Sequence, residues 1–564
     1  MIELTEKKLQ IDPIFTENGI EIYSLPESGT YRWYDNMTDI FATWSPLGWR
    51  DHSVRQWWFP NGCESAYQFG APLLSAIGAE GNNRVTLALS DSVCRGRLTL
   101  SVDDLNQKDE MILTATLFDG IRQKKNGEVL LRVDRRDIDY NEAVREAGQW
   151  MRSFLQNGQI PVPDNALLPL YSSWYNFHQE PEQSLLEAEL ELAAKTGFKT
   201  FILDDGWQFE GNNVGDYCRC GDWHVAKDKF PDFKGFCDKV HSFGIKMLLW
   251  FPVPFVGFET EDYKRLKNKL AFERKDFGAG VLDVRYPDIR AYIVGIYKRF
   301  VNDYGIDGLK LDFVDAFKAD PAQIAPYADG MDIENLDEAV RVLMDEIYDE
   351  MTALNPDFLF EFRQNYIGAE IVNHCNMLRV ADCAADSITN RIGMAALRLL
   401  NGGTAIHSDM LLWAKTETPL NCARQLLNIM FTVPQISVLL TKIPDEQYRV
   451  IKRFVSYWTE NRDVLLSDTF RAEHPEANYT SASAEADGKK ITVLYYGNSF
   501  KPCGLHEDIF NGTEREILVS EGGFAFEYRI YDYYGDCVKE GVSGGAPEIL
   551  PVPRGGMVSI IPAK

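Results

Sequence analysis

Residues 308–317 read GLKLDFVDAF, a short apolar stretch in which Lys310 and Asp312 occupy alternate positions. Alternate side chains of a β-strand share one face, so the pattern predicts that Lys310 and Asp312 point the same way. A buried charged pair is costly unless other groups compensate it. The stretch is therefore compatible with a structural ion pair at a strand end, or with a site that uses both charges.

Seven further apolar runs accompany this stretch between about residue 167 and residue 440. The eight runs are LLPLYSS (167–173), TFILDD (200–205), KMLLWF (246–251), GLKLDF (308–313), FLFEF (358–362), MLRVAD (377–382), GTAIHSD (403–409) and PQISVLL (434–440). Helical patterns lie between them, as at 181–197 and 287–305, and both of these end in Gly, a common helix stop. Eight alternating strand and helix units predict a (β/α)8 TIM barrel. A doubly wound open sheet is the alternative, but no Gly-rich phosphate loop follows the first strand.

Strand-like patterns also flank the predicted barrel. They precede residue 140, as in GIEIYSL (19–25), and return beyond residue 465, as in KKITVLYYGN (489–498). Residues 141–156 predict a helix that links the first part to the second. We therefore expect an N-terminal β-sandwich with a linker helix over 1–160, a catalytic barrel over 161–464 and a small C-terminal β-sandwich over 465–564.

Composition restricts the classes of partner. The chain of 564 residues has a formal net charge of −26, which argues against a nucleic acid or an anionic membrane as partner. No apolar run reaches the roughly 18 residues of a membrane span, and the first residues resemble no signal peptide, so we expect a cytoplasmic protein. The ten cysteines and eight histidines lack metal-ligand spacing, so neither a metal nor a cofactor is expected. A homo-oligomer remains possible.

Charged or aromatic residues mark the predicted strand ends. They are Trp174, Asp204, Asp205, Trp250, Lys310, Asp312, Glu361, Arg363, Arg379, Asp382, His407 and Asp409. The loops after the strands of such a barrel carry its chemistry, although an acidic residue there can also cap the next helix. Carboxylates and aromatic rings without metal ligands favour glycoside chemistry, in which one carboxyl group attacks or activates water and another protonates the leaving oxygen.

Five segments, in chain order, resemble the α-galactosidase superfamily, closest to glycoside hydrolase family 36, with family 27 as a cousin. They are FILDDGWQ (201–208), GDWHVAKDKFP (221–231), GIKMLLWF (244–251), LDVRYPDIRAYI (282–293) and GLKLDF (308–313). The resemblance covers about residues 170 to 440, and the flanking β-domains fit the layout of the family. It implies a retaining exo-α-glycosidase that acts on a small carbohydrate.

The resemblance also implies roles for the two catalytic carboxylates. Asp312 matches the nucleophile, and Lys310 would contact sugar hydroxyls and keep Asp312 ionised. Asp382 matches the acid/base residue, preceded by Arg379. Asp386 is the alternative acid/base, although its position also suits a helix cap.

Further residues would bind the sugar. Asp204 and Asp205 match the carboxylates that hold the 4- and 6-hydroxyls, and Glu361 with Arg379 would read the 2-hydroxyl. The remaining expected binding or lining residues are Trp174, Trp207, Trp223, Trp250 and Arg363, while the roles of His407, Asp409, Trp57 and Trp58 stay open. The chain departs from the family at WFPVPF (250–255) and FEFRQNYIG (360–368), where a Glu-bearing segment and a Cys- and Gly-rich turn are common.

The expected activity is that of an α-galactosidase. The alternatives are a hydrolase or transglycosylase for an α-N-acetylgalactosaminide, an α-glucoside or an acidic sugar, and a catalytically silent sugar-binding protein.

Overall fold

The computed structural model describes residues 2–35, 39–47, 61–102, 111–118, 128–155, 158–212 and 214–563. Trp57 and Trp58 lie outside the described residues, so their roles stay open.

Twelve strands form two six-stranded antiparallel sheets in the N-terminal part. They are β1 Ile2–Leu4, β2 Leu9–Ile11, β3 Phe15–Glu17, β4 Ile20–Leu25, β5 Gly29–Asp35, β6 Ile40–Trp44, β7 Asn61–Ser65, β8 Leu73–Gly78, β9 Asn83–Leu89, β10 Gly96–Val102, β11 Met111–Leu117 and β12 Val129–Asp134. The sheet orders are β2-β1-β5-β11-β10-β7 and β3-β4-β12-β9-β8-β6. In β11 every second residue is buried, as expected for a strand with one face on a core. The predicted N-terminal β-sandwich is confirmed.

Helix α1, Tyr140–Arg152, follows this sandwich. The Asp139 carboxylate caps its first turn by accepting a hydrogen bond from the Asn141 backbone N–H at 2.8 Å. The helix ends at Arg152, before the predicted end at residue 156, because the Ser153 N–H closes the last turn on preceding carbonyls.

Eight parallel strands form the central sheet. The strands that follow α1 are β13 Leu170–Ser172, β14 Thr200–Leu203, β15 Lys246–Pro252, β16 Phe255–Gly257, β17 Leu270–Arg274, β18 Ala279–Leu282, β19 Gly308–Asp312, β20 Leu359–Arg363, β21 Met377–Arg379, β22 Ala405–His407 and β23 Gln435–Ile436. The strand order is β22-β21-β20-β19-β15-β14-β13-β23, and a parallel bridge between His407 and Val433 joins the two edges. All eight predicted strands are present, and the barrel is confirmed. The antiparallel β16, β17 and β18 form a small additional sheet that the sequence patterns did not predict.

Helices surround this barrel. They are α2 Trp174–Phe177, α3 Gln183–Thr196, α4 Phe233–Ser242, α5 Glu261–Leu266, α6 Pro287–Tyr304, α7 Leu336–Leu354, α8 Ala369–Val372, α9 Ser387–Leu400, α10 Pro419–Asn428, α11 Asp445–Glu460 and α12 Arg462–Leu465. The predicted stops of α3 and α6 hold, since Gly197 and Gly305 have left-handed backbone conformations, which glycine adopts without steric cost. Among the helices of the described segments, none is both long enough and apolar enough to cross a bilayer.

Ten strands form the C-terminal part. They are β24 Arg471–Glu473, β25 Ser481–Ala486, β26 Lys489–Leu494, β27 Ser499–Phe500, β28 His506–Asn511, β29 Leu518–Ser520, β30 Phe526–Tyr531, β31 Cys537–Ser543, β32 Glu548–Leu550 and β33 Met557–Pro562. A seven-stranded and a three-stranded sheet enclose an apolar core that includes Ile509, Leu518 and Ile530. The predicted C-terminal β-domain is confirmed.

Candidate active site

Asp312 occupies the last position of β19, at the face of the barrel where the parallel strands end. Its Oδ1 atom accepts hydrogen bonds from Arg363 Nε at 2.6 Å and from the Phe313 N–H at 2.7 Å. Its Oδ2 atom accepts one hydrogen bond, from Trp250 Nε1 at 3.0 Å. Burial raises the pKa of Asp312, but the charges of Arg363 and Lys310 outweigh burial and hold that pKa well below its ordinary value. Asp312 is therefore an ionised carboxylate with unequal oxygens.

Lys310 lies two residues earlier on the same face of β19, as the alternation predicted. Its Nζ atom donates to Asp204 Oδ2 at 2.6 Å, and both side chains are buried. Burial lowers the pKa of Lys310, but the charge of Asp204 outweighs burial and raises it, so the ammonium group keeps its charge. The structure thus joins the ends of β14 and β19 through one buried ion pair beside Asp312.

Asp205 has different partners from Asp204. Its Oδ1 accepts from Gln208 Nε2 at 2.6 Å, and its Oδ2 accepts from Gln179 Nε2 at 2.7 Å. Burial raises the pKa of Asp205 to about 6. Two amide groups therefore orient this carboxylate.

Arg379, at the end of β21, binds three carboxylates. Its guanidinium group contacts Glu361 at 3.3 Å and Asp382 at 2.8 Å, and it also donates to Asp409. Glu361 accepts a second hydrogen bond, from Gln435 Nε2 at 2.7 Å. The side chains of Arg379 and Glu361 are both 0% exposed, so they bind each other inside the barrel. The predicted contact of these two residues with the 2-hydroxyl of a sugar would need them on an accessible wall, and the structure does not place them there.

Asp382 lies just beyond β21, and its side chain is 55% exposed. Burial raises its pKa, but the charges of Arg379 and Arg363 outweigh burial and lower that pKa from its ordinary value. Asp409 supports the same loop, because its Oδ2 accepts from the N–H groups of Cys383 at 2.8 Å and Ala384 at 3.1 Å. An exposed carboxylate is thus held against a buried arginine.

Asp386 is the N-cap of α9. Its Oδ1 accepts from the N–H groups of Ile388 at 3.2 Å and Thr389 at 3.0 Å, and its Oδ2 accepts from the Thr389 hydroxyl at 2.6 Å. This is the capping alternative that its sequence position allowed.

The tryptophans separate into two groups. Trp207 is 0% exposed, donates from Nε1 to the Trp250 carbonyl at 3.1 Å, and packs edge-to-face on Phe251 and Phe300. The structure therefore places Trp207 in the aromatic core and not on the pocket wall that the sequence predicted. Trp223 packs beside it, with ring centroids 6.1 Å apart.

Trp250 is also buried, but its Nε1 is the group that donates to Asp312, so it orients the carboxylate. Trp174 begins α2 directly after β13, is only partly buried, and packs edge-on against His178 at 4.9 Å. Of the predicted aromatic residues, Trp174 has the position of a wall residue.

His407 belongs to the interior of the barrel. Its Nε2 donates to the Ala166 carbonyl at 2.7 Å, and its Nδ1 accepts from Gln435 Nε2 at 3.2 Å. Burial lowers the pKa of His407 to about 3, so the ring is neutral and structural.

Two partners in the site escaped the sequence analysis. Asp315, in the turn after β19, accepts from Arg363 Nη1 at 3.3 Å and Nη2 at 3.2 Å, and the Tyr175 hydroxyl donates to Asp409 at 2.8 Å. Asp315 stands within the quoted stretch at 308–317, and its spacing from Asp312 could have drawn attention to it.

Parts of this chain are similar to known proteins. The Melibiase family model matches residues 144–367. The chain is 36% identical over 96 residues to the α-galactosidase Mel36A of Lactobacillus acidophilus (17% of this chain, 13% of that protein), and 26% identical over 175 residues to an Escherichia coli α-galactosidase (29% and 24%). The matches thus span less than a quarter of the length of these curated relatives.

The fold has a solved counterpart. A family 36 α-galactosidase, AgaA of Geobacillus stearothermophilus, in complex with 1-deoxygalactonojirimycin, superposes with a TM-score of 0.67 at 14% identity over 97% of this chain and 82% of that one. At this identity the likeness shows the fold, which is that of a family 36 α-galactosidase. The similarity to the Melibiase family covers residues 144–367, which is less than half of the chain.

Proposed function

We propose that this chain is a retaining exo-α-galactosidase with Asp312 as nucleophile and Asp382 as acid/base. The observation that carries the proposal is the ionised Asp312 carboxylate at the end of β19, with its pKa lowered by Arg363 and Lys310. A retaining mechanism needs such a group, because the nucleophile must attack while it is unprotonated.

The first step forms an ester between Asp312 and the sugar. The Oδ2 atom, which accepts only the Trp250 hydrogen bond, attacks the anomeric carbon, while Oδ1 stays bound to Arg363 and Phe313. The glycosidic bond breaks as protonated Asp382 transfers its proton to the leaving oxygen. In the second step Asp382 takes a proton from water, and the resulting hydroxide displaces Asp312 from the anomeric carbon.

Asp382 suits this role through its exposure. A group that exchanges protons with a leaving alcohol and then with water must reach solvent, and the Asp382 side chain is 55% exposed. Arg379 keeps it ionised in the free protein, so the acid form required for the first step is the minor one there. Asp386 is unsuited, because both of its oxygens are engaged in capping α9.

The charge of the site favours a neutral sugar. Arg363 is already shared by Asp312 and Asp315, Lys310 is paired with Asp204, and Arg379 contacts three carboxylates. Among the described residues, each of these three cations already has an anion, so an acidic sugar is disfavoured. The burial of Glu361 and Arg379 removes the argument against an N-acetyl group at position 2, and that sugar remains the second candidate.

Galactose selection is assigned to Asp204 and Lys310. A charged acceptor that binds an axial 4-hydroxyl is left unpaired by the glucose epimer, which costs about 1–3 kcal/mol. Asp204 is assigned this contact because it is ion-paired with Lys310 beside Asp312, whereas Asp205 accepts from Gln208 and Gln179.

The test is a panel of 4-nitrophenyl α-glycosides of galactose, glucose, N-acetylgalactosamine and galacturonic acid. We expect kcat/KM for the galactoside to exceed the others by at least about tenfold, equivalent to about 1.4 kcal/mol of transition-state binding. Asp204→Asn should shrink the preference over glucose, and the exposed Asp329→Asn should leave it unchanged. If the N-acetylgalactosaminide reacts faster, the assigned substrate changes to that sugar, and the proposed mechanism stays the same. No turnover of any member would leave only a sugar-binding role.

The remaining sequence-based expectations belong to the same proposal. We place the enzyme in the cytoplasm, with a small carbohydrate as its partner, and we retain the division at residues 160 and 464.

A further inference from the structure

A cavity of about 410 Å³ lies on the side of the barrel opposite the candidate active site. Its lining includes Gly402, Gly403 and Thr404, which precede β22. Those residues are at the amino-terminal end of a barrel strand, whereas Asp312 and Arg379 are at carboxyl-terminal ends. Since the strands are parallel, the two regions are at opposite ends of the barrel.

Three arginines from two helices line this cavity. Arg145 and Arg152 come from α1, and Arg398 comes from the last turn of α9. Asp468 is the one carboxylate among the lining residues. The cavity therefore carries a surplus of positive charge in a chain whose formal net charge is −26.

These arginines lack carboxylate partners at contact distance. Within the described part of the chain, no carboxylate oxygen lies within 4.0 Å of a nitrogen of Arg145, Arg152 or Arg398. Arg136, by contrast, is paired with the carboxylates of Asp134 and Glu146. Three arginines without a carboxylate oxygen within 4.0 Å in the described part of the chain thus converge on one cavity.

Each of the three guanidinium groups is anchored by a backbone carbonyl. Arg152 Nη1 donates to Leu400 O at 2.5 Å and Arg398 Nη2 to Ser467 O at 2.6 Å, while Arg145 donates to Phe470 O. A guanidinium group has five N–H donors, so these bonds orient the groups and leave further donors for a ligand.

The cluster is electrostatically costly when it is empty. Arg398 is only 8% exposed, and burial lowers its pKa to about 10, although the charge of Asp468 offsets part of that effect and the charge of Arg145 adds slightly to it. Burial also lowers the pKa values of Arg145 and Arg152. An anion bound between the three groups would offset this cost.

We propose that the cavity formed by Arg145, Arg152 and Arg398 binds the phosphate group of a small phosphorylated molecule. Arginine forks match the oxygens of a phosphate, and several converging arginines favour a group with more than one negative charge. The volume is within the roughly 300–1,000 Å³ range of small-molecule sites, so it has room for a sugar-sized group attached to the phosphate. The proposal is independent of the reaction on the other face.

Isothermal titration calorimetry on the full chain tests it, with inorganic phosphate and glucose 6-phosphate as probes and sodium chloride at matched ionic strength as reference. We expect saturable binding of phosphate, and tighter binding of the hexose phosphate. Equal affinity for the two probes would identify free phosphate as the source of the bound group. Absence of saturable binding of either probe to the wild-type chain would overturn the proposal.

Matched variants separate the cavity from general surface charge. Arg152→Gln and Arg145→Gln should each weaken binding at least tenfold. Arg449→Gln, which removes an exposed arginine paired with Asp536 at 2.7 Å, should bind like the wild type. Binding that is unchanged in both cavity variants would contradict the assignment. None of these binding measurements depends on glycoside hydrolysis. Absence of phosphate binding is therefore distinct from absence of the proposed activity.

Discussion

The two oxygens of Asp312 are in different environments. Among the described residues, Oδ1 receives two donors and Oδ2 receives one, which suits Oδ2 to the proposed attack. Phe313 contributes through its backbone, which adopts a left-handed conformation with φ of 59° and turns its N–H toward the carboxylate. A non-glycine residue pays about 1–2 kcal/mol for that conformation, which here orients the proposed nucleophile.

Replacing the proposed nucleophile tests its role directly. Asp312→Gly should lower kcat on 4-nitrophenyl α-galactoside by several orders of magnitude, because covalent catalysis is lost. Sodium azide should restore part of the activity by entering the space of the carboxylate, and the product should be the β-galactosyl azide. The exposed Asp329→Gly is the control. Near wild-type turnover by Asp312→Gly would contradict the assignment.

Arg363 should set the acid side of the pH profile. Asp312 must be ionised to attack, and Arg363 lowers its pKa, so the wild-type enzyme keeps this group active at low pH. Removing the cation in Arg363→Gln should raise the pKa of Asp312 and move the acid limb of kcat/KM to higher pH. The Arg363→Gln variant should therefore lose activity at acid pH values at which the wild type is still active.

Arg363→Lys provides the matched control for that shift. It keeps the positive charge near Asp312 but loses the planar geometry of the guanidinium group. We expect its acid limb to lie between those of the wild type and Arg363→Gln. An acid limb that does not move in Arg363→Gln would show that another group controls it.

At the scale of elements, the segment between β21 and α9 separates two acidic residues by function. Asp382 is held by Arg379 at the strand end, and Asp386 caps the helix four residues later. Asp409, from the segment after β22, binds the N–H groups of Cys383 and Ala384 and fixes the loop between them. One short loop thus positions a proposed catalytic group and begins a helix.

The leaving group distinguishes the two residues. Asp382→Ala should impair hydrolysis of an oligosaccharide far more than that of a nitrophenyl galactoside, because only a poor leaving group needs protonation. Asp386→Ala should lower the free energy of unfolding by about 0.5–2 kcal/mol through loss of the cap, with the ratio of the two rates unchanged. Measured kcat/KM on both substrates and urea unfolding check these outcomes. The reverse pattern would assign acid/base catalysis to Asp386.

At the scale of the whole molecule, helix α1 shares an apolar cluster with the barrel. Its buried residues Tyr140, Val144 and Met151 pack in the same apolar cluster as Leu309 and Leu311 of β19. The apolar core between the two N-terminal sheets is separate from this cluster. The shared cluster also includes Leu73 of β8 and Ala88 of β9, so α1 packs against both the N-terminal sheets and the barrel, as a linking helix would.

Met151→Ala should destabilise the barrel through α1. Loss of this buried side chain should cost about 2–5 kcal/mol, and it should lower the temperature of the unfolding transition that abolishes hydrolysis. Gln149→Ala, on the exposed face of the same helix, should change little. Calorimetry combined with residual activity measures both. An effect confined to an unfolding transition that leaves activity intact would place α1 with the N-terminal sheets.

Much of the fold could be predicted because its signals are local. The apolar run that ends at Asp312, the glycines that end α3 and α6 and the alternation in β11 each occupy a few consecutive residues. Strand period, helix stops and capping act over such distances, so a linear pattern carries them. The shared face of Lys310 and Asp312, and the capping option for Asp386, have the same origin.

The partners of the charged groups could not be predicted in this way, because they come from distant parts of the chain. Arg379 meets Asp409, thirty positions away, and Trp207 turns into an aromatic core that includes Phe300. Arg145 and Arg398 converge on one cavity, although no sequence pattern connects them. The packing of strands and helices determines which carboxylate a cation binds and which face of a ring is buried. The desolvation of a side chain is set only when that packing is complete.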